Sequence, residues 1–222
     1  MKHRMVLVAL TLALVLASFT PATAQTSITF GGWSSFVVDN GDRASEEPIL
    51  YLSVDQAFAH GLSLGVWGSA GENKGREADI AAGWKGKNTA LKVFYIRHAG
   101  GSTANLVQVD MRGFVAVGKD AELFFMLSPI LPTNSTGDAG TLLRVGFATN
   151  GKLTSGKFFH GGWLMYDTGI FKGEQGFSLR YEVGLPTKKG KVTVMPAVKF
   201  SLPLLHMEKR EPRIVGGIHF IM

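Results

Sequence analysis

The sequence predicts an all-β chain folded as one antiparallel transmembrane β-barrel, of twelve strands with ten as the alternative. Three observations carry this. Short segments alternate apolar and polar residues along nearly the whole chain. The breaks between them alternate short and long. The last segment, Ile214, Gly216, Ile218, Phe220 and Met222, keeps its apolar alternation to the final residue. A side-chain period of two marks a strand with two different faces. An apolar edge strand left open at a terminus invites aggregation, whereas pairing it to the first strand closes a barrel.

The first 24 residues stand apart. Lys2, His3 and Arg4 form a basic start, Met5 to Ala17 is apolar, and Ala22-Thr23-Ala24 has small residues where a signal peptidase reads them. This predicts a signal peptide over 1–24 and a barrel over 25–222. The chain contains no cysteine, so stability without disulfides must come from a complete hydrogen-bond ladder, burial or lipid. Beyond the leader no apolar run is long enough for a helical span, so a membrane-resident chain would cross as strands.

Strands are expected at 26–38, 48–57, 61–69, 76–85, 89–98, 104–117, 121–128, 140–149, 156–167, 175–186, 190–202 and 212–222. A tilted strand needs about 9–11 residues to cross a bilayer core, and most of these suffice. Short breaks fall at 59–60, 86–88, 118–120, 150–155 and 186–190, and longer ones at 39–47, 70–75, 99–103, 129–139, 167–174 and 203–212. Short turns at one rim and long loops at the other describe an outer-membrane barrel with periplasmic turns and longer extracellular loops.

The two faces differ in charge. Val107, Val109 and Met111 oppose Gln108, Asp110 and Arg112; Leu143 and Val145 oppose Arg144; Leu179, Tyr181 and Val183 oppose Arg180 and Glu182. A soluble sandwich or a lipocalin-like barrel also has one apolar and one polar face. Strand length, loop alternation and the final strand favour lipid. The predicted lumen-lining residues are Glu77, Asp79, Lys92, Asp110, Arg112, Glu122, Arg144, Arg180, Glu182 and Lys199. Their signs nearly balance, which does not point to a strong ion filter. Phe94, Ile96, Phe114, Phe124 and Met126 share the inward register. Trp33, Trp67, Trp84 and Trp163 are expected in interfacial girdles, and His160 and His219 are candidates for the inner face.

The stretch from Gly61 to His98 resembles a family of uncharacterised proteobacterial outer-membrane barrels. The resemblance rests on a Gly-x-x-x-Gly-x-Trp-x-Ser hairpin (Gly61, Gly65, Trp67, Ser69) followed by Glu77, Asp79, Gly83, Trp84, Gly86 and then Tyr95. It implies a barrel of unknown substrate and brings no catalytic residue. Gly217, Phe220 and Met222 also resemble the carboxy-terminal signal that such barrels present to the assembly machinery, with Val215 and Met222 departing from its usual residues.

No Gly-x-Ser-x-Gly elbow occurs. No zinc spacing or phosphate loop is visible, so no metal or cofactor is expected, and the scattered basic excess excludes a nucleic-acid partner. The expectation is a porin-like or small-solute channel of the outer membrane. The alternatives are a non-conducting structural or adhesion barrel and, behind it, a lipid-modifying hydrolase.

Overall fold

The computed structural model describes residues 25–34, 36–37, 43–45, 48–71, 77–98, 105–119, 121–133, 139–149, 159–169, 175–206 and 211–222. The predicted signal peptide lies outside these residues. Twelve strands form the wall: β1 (Gln25–Trp33), β2 (Ile49–Ala57), β3 (Leu62–Ala70), β4 (Glu77–Lys85), β5 (Thr89–His98), β6 (Leu106–Val117), β7 (Ala121–Pro132), β8 (Gly140–Thr149), β9 (Phe159–Asp167), β10 (Gly176–Gly184), β11 (Val192–Pro203) and β12 (Arg213–Ile221). Each pairs antiparallel with its sequence neighbours. β1 pairs with both β2 and β12, so the sheet closes on itself. Closure removes every edge, which is how a barrel satisfies its backbone without water.

The seam runs to the last residue. Trp33 lies opposite Gly217, and Thr29 opposite Ile221. The amides of Ile28 and Met222 donate to each other's carbonyls at 3.0 and 2.8 Å. The alternating run at the carboxy terminus is therefore a closing strand, as its pattern required.

Registers sort the side chains into two sets. The outward set carries Leu50, Ile80, Val115, Leu123, Phe125, Val145 and Ile214, each more than half exposed. Arg97, at the end of β5, is the one charged side chain on the outward register of the twelve strands. Among the described residues, 27 large hydrophobic side chains are exposed and only nine hydrophobic residues are buried. A water-soluble domain shows the reverse and rarely exposes apolar patches beyond a few hundred Å². This outer surface suits a lipid environment.

Element ends differ from the sequence reading in informative ways. β7 continues through Pro129 to Pro132, where a loop was expected from Pro129 onwards. A proline removes one ladder donor without disturbing the alternation, and Ile130 is buried inward while Leu131 faces out. β1 ends at Trp33 rather than running to 38, and Phe36–Val37 pairs with Arg43–Ser45 in a separate small ladder. Between β10 and β11, Thr187–Lys189 pairs back onto Val192–Val194 around Gly190-Lys191. Gly190 has φ +62, the left-handed conformation that a two-residue hairpin turn needs. The connection at 150–158 lies outside the described residues.

Parts of the Gly61–His98 pattern acquire a cause. Gly61 has φ +78, and a Cβ there would sit 2.1 Å from the Lys85 carbonyl oxygen, so the β2–β3 turn needs glycine twice over. The Ser69 hydroxyl accepts the Glu77 amide proton at 3.1 Å. Trp67 stacks on Tyr51, with ring centroids 6.1 Å apart.

Candidate functional site in the barrel interior

The inward set is not uniformly packed. On one side, Leu106, Ile130, Leu142 and Met165 form a buried apolar cluster, with Ile96 and Trp163 against it. Below that cluster in the strands lie Arg144, whose Nη1 is 4.0 Å from Met126 Sδ, and Arg180, whose guanidinium sits 5.8 Å from the Trp163 ring. Nearer the short turns, Arg112 pairs with Glu122 and lies over Phe124 at 4.3 Å and Phe114 at 5.8 Å. These groups occupy the lumen beside β6 to β9.

The other side is open. A cavity of about 510 Å³ runs inside β1 to β6 and β10 to β12, reaching Leu106, Ile130 and Leu142 across the lumen. Its aromatic wall is Trp33, Tyr51, Trp67 and Phe94. Lys92 Nζ stands 3.5 Å from Asp55 and 5.0 Å from the Phe94 ring. Lys199 Nζ stands 3.6 Å from Glu182 and 4.0 Å from the Trp33 ring. Toward the long loops, His98 Nδ1 and Glu77 meet at 3.1 Å, both nine-tenths buried. Gln108 Nε2 donates to Asp110 at 2.8 Å.

All ten residues singled out in the sequence face inward by register, but they divide between the two sides. Glu77, Asp79, Lys92, Asp110, Glu182 and Lys199 line the cavity. Arg112, Glu122, Arg144 and Arg180 are on the filled side, with Arg144 and Arg180 only 5% and 6% exposed.

The seam supplies a cluster that the sequence reading named only in part, since His219 was a candidate for the inner face and faces inward here. The Tyr51 hydroxyl hydrogen-bonds to His219 Nδ1, and the His219 ring lies 4.6 Å from Trp33. Two glycines make room for it. A Cβ on Gly31 would meet His219 Nδ1 and the Tyr51 hydroxyl at 2.9 Å, and one on Gly217 would meet Trp33 Cε3 at 2.4 Å. Asp55 was missed as well. The alternation of Leu50, Leu52 and Val54 with Tyr51, Ser53 and Asp55 was the signal that could have found both Tyr51 and Asp55.

Two expectations are corrected. Trp33, Trp67 and Trp163 are inward, not in girdles, because a lumen of this width needs large side chains to fill or line it. Trp84 alone of the four tryptophans faces out, 45% exposed, near the short-turn rim. His160 also faces out. Its Nδ1 is 3.1 Å from the Tyr181 hydroxyl, and Phe147 contacts its ring edge-on, so it stands among outer-face aromatics.

No protein-family model and no curated protein sequence matches the chain. Solved structures do. The KdgM porin superposes with a TM-score of 0.58 at 16% identity, over 87% of this chain and 98% of the porin. The fold is that of the KdgM porin. The KdgM porin in complex with disordered oligogalacturonate gives a TM-score of 0.56 at 14% identity, over 88% and 98% of the two chains. An outer membrane channel from Pseudomonas putida F1 gives 0.52 at 9% identity, over 91% and 96%. The likeness to the KdgM porin spans nearly the full length of both chains, so the twelve-strand closure is shared, while identities this low carry the fold alone.

Proposed function

We propose that the chain is a porin-like channel of a bacterial outer membrane, passing small solutes through the open side of its lumen. The observation that carries the reading is a cavity of about 510 Å³ lined by ionised groups, inside a closed barrel whose outer face is apolar. Ligand sites occupy about 300–1,000 Å³, and a hydrated lumen lowers the cost of charges that would be prohibitive in dry protein. The seven acidic and basic residues that line the cavity, Asp55 among them, act as the wall of the passage. The four on the filled side narrow it. Outer-membrane lipid covers the outward register, and Gly217, Phe220 and Met222 present the closing strand to the assembly machinery.

The barrel refolded into planar bilayers is expected to give stepwise single-channel currents. Phe94→Trp, which enlarges a wall side chain, is expected to lower the unit conductance. Silent bilayers, together with no uptake of small solutes by loaded vesicles, would overturn the reading. A non-conducting structural or adhesion barrel is the second reading. The apolar cluster around Leu142 and Met165 favours it, because it takes up part of the cross-section.

A further inference from the structure

We infer that the open cavity is a binding site for a small organic cation carrying ammonium groups, such as a polyamine. The inference names a solute class for the channel proposed above and in that respect rests on that reading, although the site itself does not require conduction.

Charge segregation is the first observation. Counted over the whole inward register the two signs balance, but the open space does not share that balance. Five carboxylates line it (Asp55, Glu77, Asp79, Asp110 and Glu182) against the ammonium groups of Lys92 and Lys199. Arg112, Arg144 and Arg180 are on the filled side, the last two of them buried. A cleft lined by one sign of charge and bounded by low-dielectric walls concentrates the opposite ion.

The aromatic wall is the second observation, and it is independent of the charge count. A cation is attracted to the face of an aromatic ring within about 6 Å of its centroid. Both lysines of the cavity already sit that way, Lys199 at 4.0 Å from Trp33 and Lys92 at 5.0 Å from Phe94. Each also touches a carboxylate, Glu182 and Asp55 respectively. The cavity therefore binds two ammonium groups of its own by the combination a free amine would use. The stacked Tyr51–Trp67 pair repeats that combination on the neighbouring strands: Trp67 is in register with Asp79, and Gly65 with Asp55.

His219 is the third. It is 3% exposed and lines the cavity, Tyr51 takes its Nδ1, and its Nε2 has no hydrogen-bond partner among the described residues. A buried polar atom without a partner is costly; with the ring proton on Nδ1, donated to the Tyr51 oxygen, Nε2 is an acceptor that an ammonium N–H in the cavity would satisfy. An extended polycarboxylate such as the oligogalacturonate of the KdgM complex would meet a net negative wall, so the solute class differs from the one that complex contains.

The test uses the full barrel in detergent and in bilayers, with spermidine as the probe and trigalacturonate as the anionic comparison. Tryptophan fluorescence is expected to report saturable spermidine binding that weakens as salt is raised. The double variant Asp55→Asn with Asp79→Asn is expected to weaken binding about tenfold. Lys199→Met, which frees both Trp33 and Glu182, is expected to tighten it several-fold. A gain of affinity cannot come from misfolding, so this variant keeps the test decisive if the double variant fails to assemble. Reversal potentials in a salt gradient should favour cations, more so in Lys199→Met. Spermidine binding without conduction would leave the site standing and sink the channel reading. Conduction with no spermidine binding, or with tighter trigalacturonate binding, would overturn the site and leave the channel. Affinity unchanged in both variants would also overturn it.

Discussion

Val145→Arg is expected to destabilise the barrel by about 2–4 kcal/mol, the cost of a basic side chain on the lipid face near the bilayer midplane. Val145 is 59% exposed, sits halfway along β8 and faces out between Phe125 and Leu164. Its neighbour Arg144 is the internal control. Arg144 faces in, 5% exposed, with Met126 and Met165 across the flanking strands. Arg144→Lys keeps a basic side chain at that inward position and so retains the charge balance around it, and it is expected to cost less than about 1 kcal/mol. Urea titrations of folding into vesicles should therefore separate two adjacent residues by several kcal/mol. Because a one-residue shift exchanges the faces, equal effects at the two positions would show that β8 has slipped its register.

Gly217→Ala is expected to cost about 1–3 kcal/mol, the usual range for overpacking a filled site. The added methyl would stand 2.4 Å from Trp33 Cε3 and 2.7 Å from the Gly32 carbonyl oxygen, at the strand pair that closes the barrel. Trp33→Ala in the same chain removes the ring contact but not the backbone one, so a double-mutant cycle should recover part of the loss. The cycle also separates two roles for this glycine. If Gly217→Ala refolds normally from urea yet fails to assemble in cells, its importance lies in recognition by the assembly machinery and not in the packing of Trp33. A deficit already present in purified lipid is the expected result.

Within a single strand, the sequence determined most of what the fold needed. Alternation along β5 to β12 separated Val145 from Arg144 and Leu179 from Arg180, because a pleated strand turns successive side chains to opposite faces whatever its neighbours do. The closing strand was legible for the same reason. So was the count of twelve, since each break is local. Where local signals misled, the cause lay across strands. Pro129 looked like a terminator, but the buried Ile130 behind it carries β7 onward. Trp33, Trp67 and Trp163 looked like membrane girdles, but aromatic content does not report which face a ring is on.

Only the tertiary structure decided how the interior divides. The ten charged residues that the sequence places inward show neither excess nor pattern of sign, and a census of Asp110, Arg112, Arg144 and Glu182 averages to little. Closing the sheet brings β1 to β6 and β10 to β12 around one cavity and turns β6 to β9 toward a cluster of Leu142, Met165 and Trp163. The carboxylates then share an open space from which two arginines are withdrawn. Side-chain alternation is set by each residue's own backbone, but which charges face one another depends on the curvature and register of all twelve strands together.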